Sequence, residues 1–350
     1  MDQKKLDEFL GKAIGEWGAA LDALLIFVGD KLGLYQAMSE NSEAFSPEEL
    51  ALRTRTHPRM ITEWLKAQAS GGYITYDSAN GTYSLPEEHA DAFTNVNSQA
   101  YIQGCYQVLI SLFKDEEKII EAMKTGKGFG WGDHHPYLFE GTERFFRPNY
   151  VANLTNHWIP SLEGIEEKLK NGAKVADVGC GHGVTTILMA KEYPKSQIIG
   201  FDFHEKSIDW ARKEAEKEGL KNVTFEVGGS TSFPGDDYDL VTFFDCLHDM
   251  GDPAGAAKHV LRTLTKKNGT CMIVEPFAHD RTEDNLNPIG RVFYAASTMV
   301  CVPASLKENG PALGAQAGEA KIGEIIREAG FSKFRRSAQT PFNLVFEAKV

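Results

Sequence analysis

The stretch KVADVGCGHG, residues 174–183, determines the fold that this 350-residue chain is predicted to adopt. Lys174 to Val178 is a largely apolar run of strand length, and a helical pattern follows from Val184 to Glu192. Glycines at 179, 181 and 183 lie between them, and glycine adopts the positive φ values of a sharp turn without steric cost. The stretch therefore predicts the first strand, turn and helix of a doubly wound α/β sheet.

The alternation of strand and helix patterns continues downstream of this turn. The predicted strands are Gln197 to Phe201, Val223 to Val227, Tyr238 to Phe243 and Thr270 to Val274, and the predicted helices are Glu205 to Glu218 and Pro253 to Leu264. Such alternation is typical of a parallel sheet with helices on both faces. We therefore expect a Rossmann-like domain over residues 166–350.

An acidic residue after the second predicted strand indicates the class of ligand. Asp202 follows Gly183 by 19 residues, a position from which a carboxylate accepts hydrogen bonds from ribose hydroxyls. A dinucleotide site has a third glycine where this chain has Val184. Asp177, two residues before the first glycine, suits the ammonium of a methionine moiety. Both departures favour S-adenosylmethionine (SAM) over NAD.

Residues 1–95 show helical patterns that end in a hairpin. Residues 46–49, Ser-Pro-Glu-Glu, have capping-box spacing and open a short helix to residue 54, and a second helix is predicted over 57–69. Two strand patterns flanking an Asn-Gly pair follow within residues 73–85. Helix, turn, helix and hairpin in this order predict an α-helical winged-helix domain.

Charge argues against nucleic acid as the partner of this winged helix. The whole chain has a net charge of −12. Residues 46–85 have no net charge, because they contain four basic and four acidic residues: Arg53, Arg55, Arg59 and Lys66, and Glu48, Glu49, Glu63 and Asp77. Binding to nucleic-acid phosphates needs clustered Lys and Arg. We expect a dimerisation or lid role, and a SAM-responsive transcription regulator is the alternative.

Other expectations concern the connector, assembly and location. Residues 96–165 are expected to form a helical connector and lid, and the crowded apolar faces of the first helix pattern predict a homodimer through the N-terminal domain. The loop pattern of residues 126–135 ends in two adjacent histidines that lack metal-ligand spacing, so we expect surface side chains and no metal. Five scattered cysteines and no signal core or membrane span predict a cytoplasmic protein with no membrane partner.

Four motifs resemble those of the class I SAM-dependent methyltransferases: VADVGCGHG (175–183), GFDFHEKSI (200–208), DYDLVTFFDCLHDMGDP (237–253) and NGTCMIVEP (268–276). Residues 48–74, 145–164 and 285–306 resemble a subgroup that has an N-terminal winged helix and whose members mostly lack an assigned substrate. The likeness covers nearly the whole chain. It implies SAM as the cofactor and S-adenosylhomocysteine as the product.

The resemblance also implies a set of cofactor-binding residues. Asp177, Gly179, Gly181 and Gly183 would line the methionine and ribose end, Asp202 the ribose hydroxyls, Phe203 the adenine face, Ser230 and Thr231 the adenine edge, and Asp245 and Cys246 the methionine portion. Many family members have Asp where this chain has Gly229. Ser230 is therefore the candidate for the contact to the adenine amino group.

His248 is the candidate general base. The segment CLHDMGD, residues 246–252, resembles the catalytic-histidine segment of small-molecule O-methyltransferases, in which the histidine deprotonates a phenol. Glu275, after the fifth predicted strand, is the candidate that orients it. The alternative is a structural histidine that caps a helix or bonds a backbone carbonyl.

The acceptor and its pocket are less defined by the sequence. Tyr150, Tyr294 and Met299 are the candidate substrate-binding residues, and the last two lie in an insertion that either roofs the acceptor pocket or packs as an apolar stripe. The expected reaction transfers a methyl group to a phenol, carboxylate or thiol. An NAD(P)-dependent oxidoreductase is a further alternative.

Overall fold

The computed structural model describes residues 1–40, 44–266 and 268–350, which form two compact units. The first unit consists of Met1–Lys114 and His135–Pro148. The second consists of Asp115–His134 and Asn149–Val350. The predicted connector, residues 96–165, thus contributes residues to both units.

The first unit is helical apart from one hairpin. Its elements are α1 (Gln3–Lys31), α2 (Leu34–Ser39), α3 (Pro47–Thr54), α4 (Pro58–Ser70), β1 (Thr75–Asp77), β2 (Thr82–Ser84), α5 (Glu87–Thr94) and α6 (Gln103–Lys114). The capping box predicted for α3 is present: Oγ of Ser46 accepts from the Glu49 amide at 3.3 Å, and the Glu49 carboxylate accepts from the Ser46 amide at 2.8 Å. The predicted winged helix is confirmed.

The core of the winged helix consists of aromatic and aliphatic side chains from α2, α3, α4 and the hairpin. Tyr35, Trp64 and Tyr83 are buried in it, and the ring of Tyr35 lies edge-on to Trp64. The hairpin pairs Tyr76 with Tyr83, and Phe45 forms a bridge to the same tyrosine. The buried apolar face of α4 is what holds this short helix in place.

Helices and a seven-stranded sheet make up the second unit. The next elements are α7 (Glu116–Thr125), α8 (Tyr137–Asn153, which begins in the first unit), α9 (Ile165–Asn171), β3 (Lys174–Val178), α10 (Val184–Glu192), β4 (Gln197–Asp202), α11 (Glu205–Lys217), β5 (Val223–Val227), β6 (Leu240–Phe244), α12 (Pro253–Thr263), β7 (Thr270–Pro276), α13 (Pro288–Met299), α14 (Cys301–Lys307), α15 (Gly318–Ala329), β8 (Lys333–Gln339) and β9 (Asn343–Lys349). The predicted doubly wound α/β fold is confirmed.

Strand order explains where a ligand site forms. The order is β5-β4-β3-β6-β7-β9-β8, in which the first five strands are parallel and β9 pairs antiparallel with both of its neighbours, β7 and β8. The carboxyl ends of β3, β4, β6 and β7 therefore meet at one edge of the sheet, and the order reverses between β3 and β6. Ligands of open α/β sheets bind in the crevice at such a reversal.

A buried apolar core fixes this edge of the sheet. Val178, Phe201 and Phe243, on three adjacent strands, pack in the same cluster as helices α12 and α15. β9 contributes Leu344 and Phe346 to that cluster. The strand ends therefore start from positions that packing determines, which places the residues following them reproducibly.

One described helical segment, Pro288–Lys307, meets the length and composition of a membrane-crossing helix. In this fold it consists of α13 and α14, and 44 % of its most apolar window is buried. Phe293 and Ser297 on α13 and Ser305 on α14 are buried within the second unit. The segment is a packed element of this unit in the structure.

Candidate active site

The glycine turn adopts the predicted left-handed conformation. The φ angles of Gly179, Gly181 and Gly183 are 76°, 52° and 81°. A Cβ on Gly183 would lie 2.7 Å from the Phe225 ring, whereas a Cβ on Gly181 would meet nothing within 4 Å. The turn thus packs closely on its sheet side and leaves open space at Gly181, as close approach of a ligand requires.

Asp177, in the strand before the glycine turn, connects that strand to its neighbours. Its side chain is buried, and its carboxylate accepts hydrogen bonds from Thr185 at 2.7 Å, Thr186 at 2.6 Å and Thr242 at 2.9 Å. Burial raises the pKa of Asp177, and these three hydroxyls oppose the rise. The carboxylate therefore ties α10 and β6 to β3, and its predicted contact with an ammonium group stays a proposal.

Asp202 lies at the carboxyl end of β4, as predicted. Oδ2 accepts from the Gly181 amide at 2.9 Å, and Oδ1 accepts from the His204 amide at 2.8 Å. Burial raises the pKa of this carboxyl, and the two amides act against that rise. Each oxygen keeps capacity for a second hydrogen bond, since a carboxylate oxygen accepts about two.

The predicted adenine-side residues lie at the surface of the crevice. Phe203 is 57 % exposed, and Ser230 and Thr231 are half-buried and exposed in the turn after β5. His182, within the glycine turn, stacks on Trp210 with ring centroids 5.0 Å apart. The aromatic surface beside the turn is therefore wider than the sequence motif indicated.

Asp245 follows β6 in a left-handed conformation with a φ of 51°. Oδ2 accepts from the Tyr150 hydroxyl at 2.7 Å, and Oδ1 accepts from the Asn343 amide at 2.8 Å. Burial raises the pKa of Asp245 to about 7. The structure thus brings together two predicted residues, Tyr150 and Asp245, and adds Asn343, which sequence reasoning missed because no strand was predicted there.

Cys246 lies against the glycine turn, and its predicted contact with the methionine portion stays a proposal. Its Sγ is 3.4 Å from the Val178 carbonyl oxygen, and a Cβ built on Gly179 would lie 2.8 Å from that sulfur. Burial raises the pKa of the Cys246 thiol well above its usual value. The thiol therefore acts as a neutral packing group beside the turn.

His248 and Glu275 form a buried pair. Oε2 of Glu275 lies 2.5 Å from Nδ1 of His248, and Oε1 accepts from the Leu247 amide at 3.1 Å. Burial alone would lower the pKa of His248, but the Glu275 carboxylate and the Cys301 side chain raise it well above its ordinary value. Glu275 thus orients the imidazole so that Nε2 is the ring nitrogen available for chemistry.

The other nitrogen of the ring contacts a residue outside the predicted site. Nε2 of His248 lies 3.3 Å from Sγ of Cys301, at the start of α14. Tyr294 and Met299 are half-buried on the neighbouring helix α13. The insertion therefore contributes directly to the surroundings of the candidate base, although through Cys301 rather than through the two residues predicted.

Trp131 is a second residue that sequence reasoning missed. Its indole Nε1 donates to Oδ2 of Asp249 at 2.7 Å, and burial raises the pKa of Asp249 to about 6. Trp131 lies in the segment predicted as a plain loop, where it begins a short 3-10 turn, Trp131–Asp133. An aromatic residue in a Gly-rich loop was the available signal.

The expectation of surface histidines in that loop is wrong for His134. Its side chain is buried, and Nδ1 lies 3.0 Å from Oδ2 of Asp115 because α7 packs beside the loop. Burial lowers the pKa of His134. In the described part of the chain, no group of three His, Cys, Asp or Glu side chains is arranged to hold a metal ion.

Two family models match this chain. Residues 169–330 match the model of a Methyltransferase domain, and residues 19–95 match that of a Rv2258c-like winged HTH domain. The first range includes the glycine turn, Asp202, His248 and Glu275. The second corresponds to the winged helix of the first unit.

Known proteins agree with these two matches. Ubiquinone biosynthesis O-methyltransferase of Acinetobacter baylyi is 31 % identical over 143 residues, which are 40 % of this chain and 54 % of that protein. The chain spans about half the length of the curated relatives it matches.

Solved structures extend the likeness over both units. An O-methyltransferase family protein from Burkholderia thailandensis matches with a TM-score of 0.72 and 14 % identity over 97 % of each chain. Human N-acetylserotonin methyltransferase in complex with SAM matches with a TM-score of 0.70 and 16 % identity over 100 % of this chain and 98 % of that one. At these identities the likeness shows the fold.

Residues 169–330 therefore form a methyltransferase domain, and residues 19–95 form a winged-helix domain. The match to a methyltransferase domain agrees with the expectation of SAM over NAD. The residues of the crevice fit this group: open space at Gly181 faces the turn, and Asp202 presents a buried carboxylate with free acceptor capacity. Asp202, Gly179 and Gly181 are the residues that would hold it.

Proposed function

We propose that this protein methylates a hydroxyl group of a small molecule, with His248 as the general base. The observation that carries the proposal is the buried pair of His248 and Glu275, set at the carboxyl end of the sheet beside the glycine turn. A base that a carboxylate orients serves an acceptor that must lose a proton. Nε2 of His248 is directed toward the insertion, where it contacts Cys301 rather than a backbone carbonyl.

The acidity of the acceptor decides how much a base contributes. A carboxylic acid with a pKa near ~4 is ionised at neutral pH, and a thiol near ~8.5 is partly ionised, whereas a phenol near ~10 is not. Because only the phenol needs a base to lose its proton at neutral pH, the oriented imidazole favours a phenol-type hydroxyl over the carboxylate and thiol alternatives. The acceptor would lie near Nε2 of His248, in the region that α13 and α14 cover.

The chain's own residues account for the remaining steps. SAM supplies an electrophilic methyl group when it is bound. Asp202 and the glycine turn hold the nucleoside part, and Nε2 of His248 takes the proton from the acceptor hydroxyl. Glu275 then stabilises the imidazolium that forms, because its oxygen lies 2.5 Å from Nδ1. Alignment of the two reactants supplies much of the rate, and a site without water prevents unproductive hydrolysis.

A panel of phenols, thiols and carboxylic acids, assayed for S-adenosylhomocysteine formation, tests this function. His248→Gln is expected to lose at least about a hundredfold in kcat on a phenol while keeping its affinity for S-adenosylhomocysteine. His57→Gln is the matched control, because His57 is exposed in the first unit. Full activity of the His248 variant on every phenol tested would refute the base role.

We also propose that the first unit forms a homodimer through α1. Residues 1–20 are exposed in one copy except for the half-buried Leu6 and Ala13, and the large apolar side chains Phe9, Leu10, Ile14 and Trp17 project from this part of the helix. Most helical stability in proteins comes from packing of an apolar face, which this part of α1 lacks in one copy. A second copy presenting the same face would cover it symmetrically.

No nucleic-acid partner is proposed for the winged helix. On α4, the candidate recognition helix, Glu63 lies 2.6 Å from Arg59 and 3.6 Å from Lys66. The basic charge of this helix is therefore partly neutralised by Glu63, which weakens any attraction to phosphates. Five free cysteines agree with a reducing, cytoplasmic location. A gel shift at low salt and micromolar protein would contradict the absence of DNA binding.

A further inference from the structure

We propose that Cys301 is a positioning residue for the base: its thiol holds Nε2 of His248 until the acceptor hydroxyl takes its place. This inference rests on the proposed function, since it concerns the same imidazole. It gives Cys301, a residue of the insertion, a role at the imidazole. It also makes the identity of residue 301 a determinant of how tightly an acceptor engages the base.

The Cys301 thiol and the Glu275 carboxylate contact opposite nitrogens of the His248 imidazole. Sγ of Cys301 lies 3.3 Å from Nε2 of His248, within hydrogen-bonding range for sulfur, while Glu275 occupies the opposite nitrogen. Both His248 and Cys301 are buried. The imidazole is therefore held at both nitrogens by protein side chains.

The position of Cys301 is fixed by the backbone around it. Val300, with φ of −125° and ψ of −68°, separates α13 from α14, and Cys301 is the first residue of α14. Ser305, one turn later, donates its hydroxyl to the Met250 carbonyl at 2.9 Å. Met250 follows His248 by two residues. This hydrogen bond therefore connects α14 to the segment that carries the base.

The loop that contains Gly128 also packs against α14. A Cβ on Gly128 would lie 1.8 Å from the Pro303 carbonyl oxygen, so the loop that carries Trp131 contacts the α14 backbone directly. This contact therefore restricts movement of α14, the helix that begins at Cys301. The sulfur is held beside the imidazole rather than free to rotate with a mobile helix.

Several charged or titratable groups face His248 from the surrounding elements. Glu275 approaches from β7, Cys301 from α14, Asp249 from the same short turn, and Asp245 from the end of β6. Cys301 is one of the groups that raise the pKa of His248. Loss of the thiol is therefore expected to lower the pKa of His248 while the three carboxylates remain.

An acceptor hydroxyl must compete with this thiol, because Nε2 has one lone pair or one proton to share. Removing the thiol removes the competitor, so the acceptor is expected to bind about threefold to tenfold more tightly, which corresponds to one neutral hydrogen bond. The proton still leaves through the same nitrogen, so kcat is expected to change little. A packing role alone would alter stability without this division between KM and kcat.

The first experiment measures the titration of His248 by NMR of histidine-labelled enzyme in its S-adenosylhomocysteine complex. Cys301→Ala is expected to shift the His248 midpoint to lower pH, and Cys301→Ser, which keeps a hydrogen-bonding group of similar size, is expected to shift it less. Cys105→Ser is the control, because Cys105 lies in the first unit. An unchanged midpoint in a folded Cys301→Ala enzyme would overturn the proposal.

The second experiment measures steady-state kinetics on a phenol that the native enzyme methylates. Cys301→Ala is expected to lower KM about threefold to tenfold with kcat within about twofold. An unchanged KM would overturn the competition between thiol and acceptor. If no phenol is methylated, the proposed function fails while the NMR measurement still decides whether Cys301 holds His248, so the two failures are distinguishable.

Discussion

Oε2 of Glu275 lies 2.5 Å from Nδ1 of His248, and its partner oxygen accepts a hydrogen bond from the Leu247 amide. One carboxylate therefore fixes both the imidazole and the backbone that carries it. The two residues are 27 positions apart and belong to the ends of β6 and β7, neighbouring parallel strands. The register of the sheet is thus what brings the base and its orienting group together.

Glu275→Gln is expected to change the pH dependence of catalysis. The carboxylate raises the pKa of His248, so the amide variant should move the acid limb of kcat/KM to lower pH. The plateau should fall at least about tenfold, because the amide stabilises an imidazolium less well. The measurement is a kcat/KM profile over pH on a phenol acceptor.

The control for this profile is Glu283→Gln, since Glu283 is an exposed carboxylate whose described ion pair is with Arg281 at the surface. Its profile should match that of the native enzyme. An acid limb that stays in place in Glu275→Gln would contradict the electrostatic coupling between Glu275 and His248.

Asp202→Asn is expected to weaken binding of S-adenosylhomocysteine by about tenfold to a hundredfold. Charge-assisted hydrogen bonds contribute about 1.5–3 kcal/mol each, and the amide also places a donor opposite one of the two amides that Asp202 now accepts from. Isothermal titration calorimetry measures the dissociation constant. Asp209→Asn, an exposed change on α11, should bind as the native protein does, and native affinity in Asp202→Asn would exclude the ribose contact.

Local patterns explain how much of the fold could be predicted from the sequence. The turn at Gly179 to Gly183 and the carboxylate at Asp202 are defined by short-range signals, because glycine, strand and helix propensities act within about ten residues. The parallel strands follow from the same alternation. The structure confirms these elements, with ends that coincide or differ by at most two residues.

The residues that sequence reasoning missed depend on contacts between distant segments. Asn343 meets Asp245 across 98 positions, and Trp131 meets Asp249 across 118. β9, which carries Asn343, pairs antiparallel to β7. Neither its pairing nor the position of the loop at Trp131 has a local signature, since both arise from packing of the complete second unit.

Asp245→Asn is expected to change how stability depends on pH. Burial raises the pKa of Asp245 from 3.8 to about 7, so the native state binds a proton more tightly than the unfolded chain. Native stability should therefore fall as pH rises from about 4 to about 7, by about 2–4 kcal/mol from this group. The amide, which still bonds both partners, should lack that dependence.

Urea unfolding of the cofactor-free protein at pH 4.5 and pH 8 measures the difference. The unfolding free energy of Asp245→Asn, relative to that of the native protein, should increase as pH rises. Asp236→Asn, an exposed substitution, should show no such increase. A difference in unfolding free energy that is the same at both pH values would contradict the raised pKa of Asp245.

The last prediction concerns α1. Ile14 and Trp17 are 66 % and 68 % exposed in one copy, and helix α1 continues inward to the buried Ile26 and Phe27. The double variant Ile14→Glu, Trp17→Glu should therefore be a monomer, since a charge on each copy of a symmetric interface doubles the penalty. Light scattering measures the mass. Lys12→Glu, an equally exposed charge change on the same helix, should remain a dimer, and a native protein that is already a monomer would refute the interface.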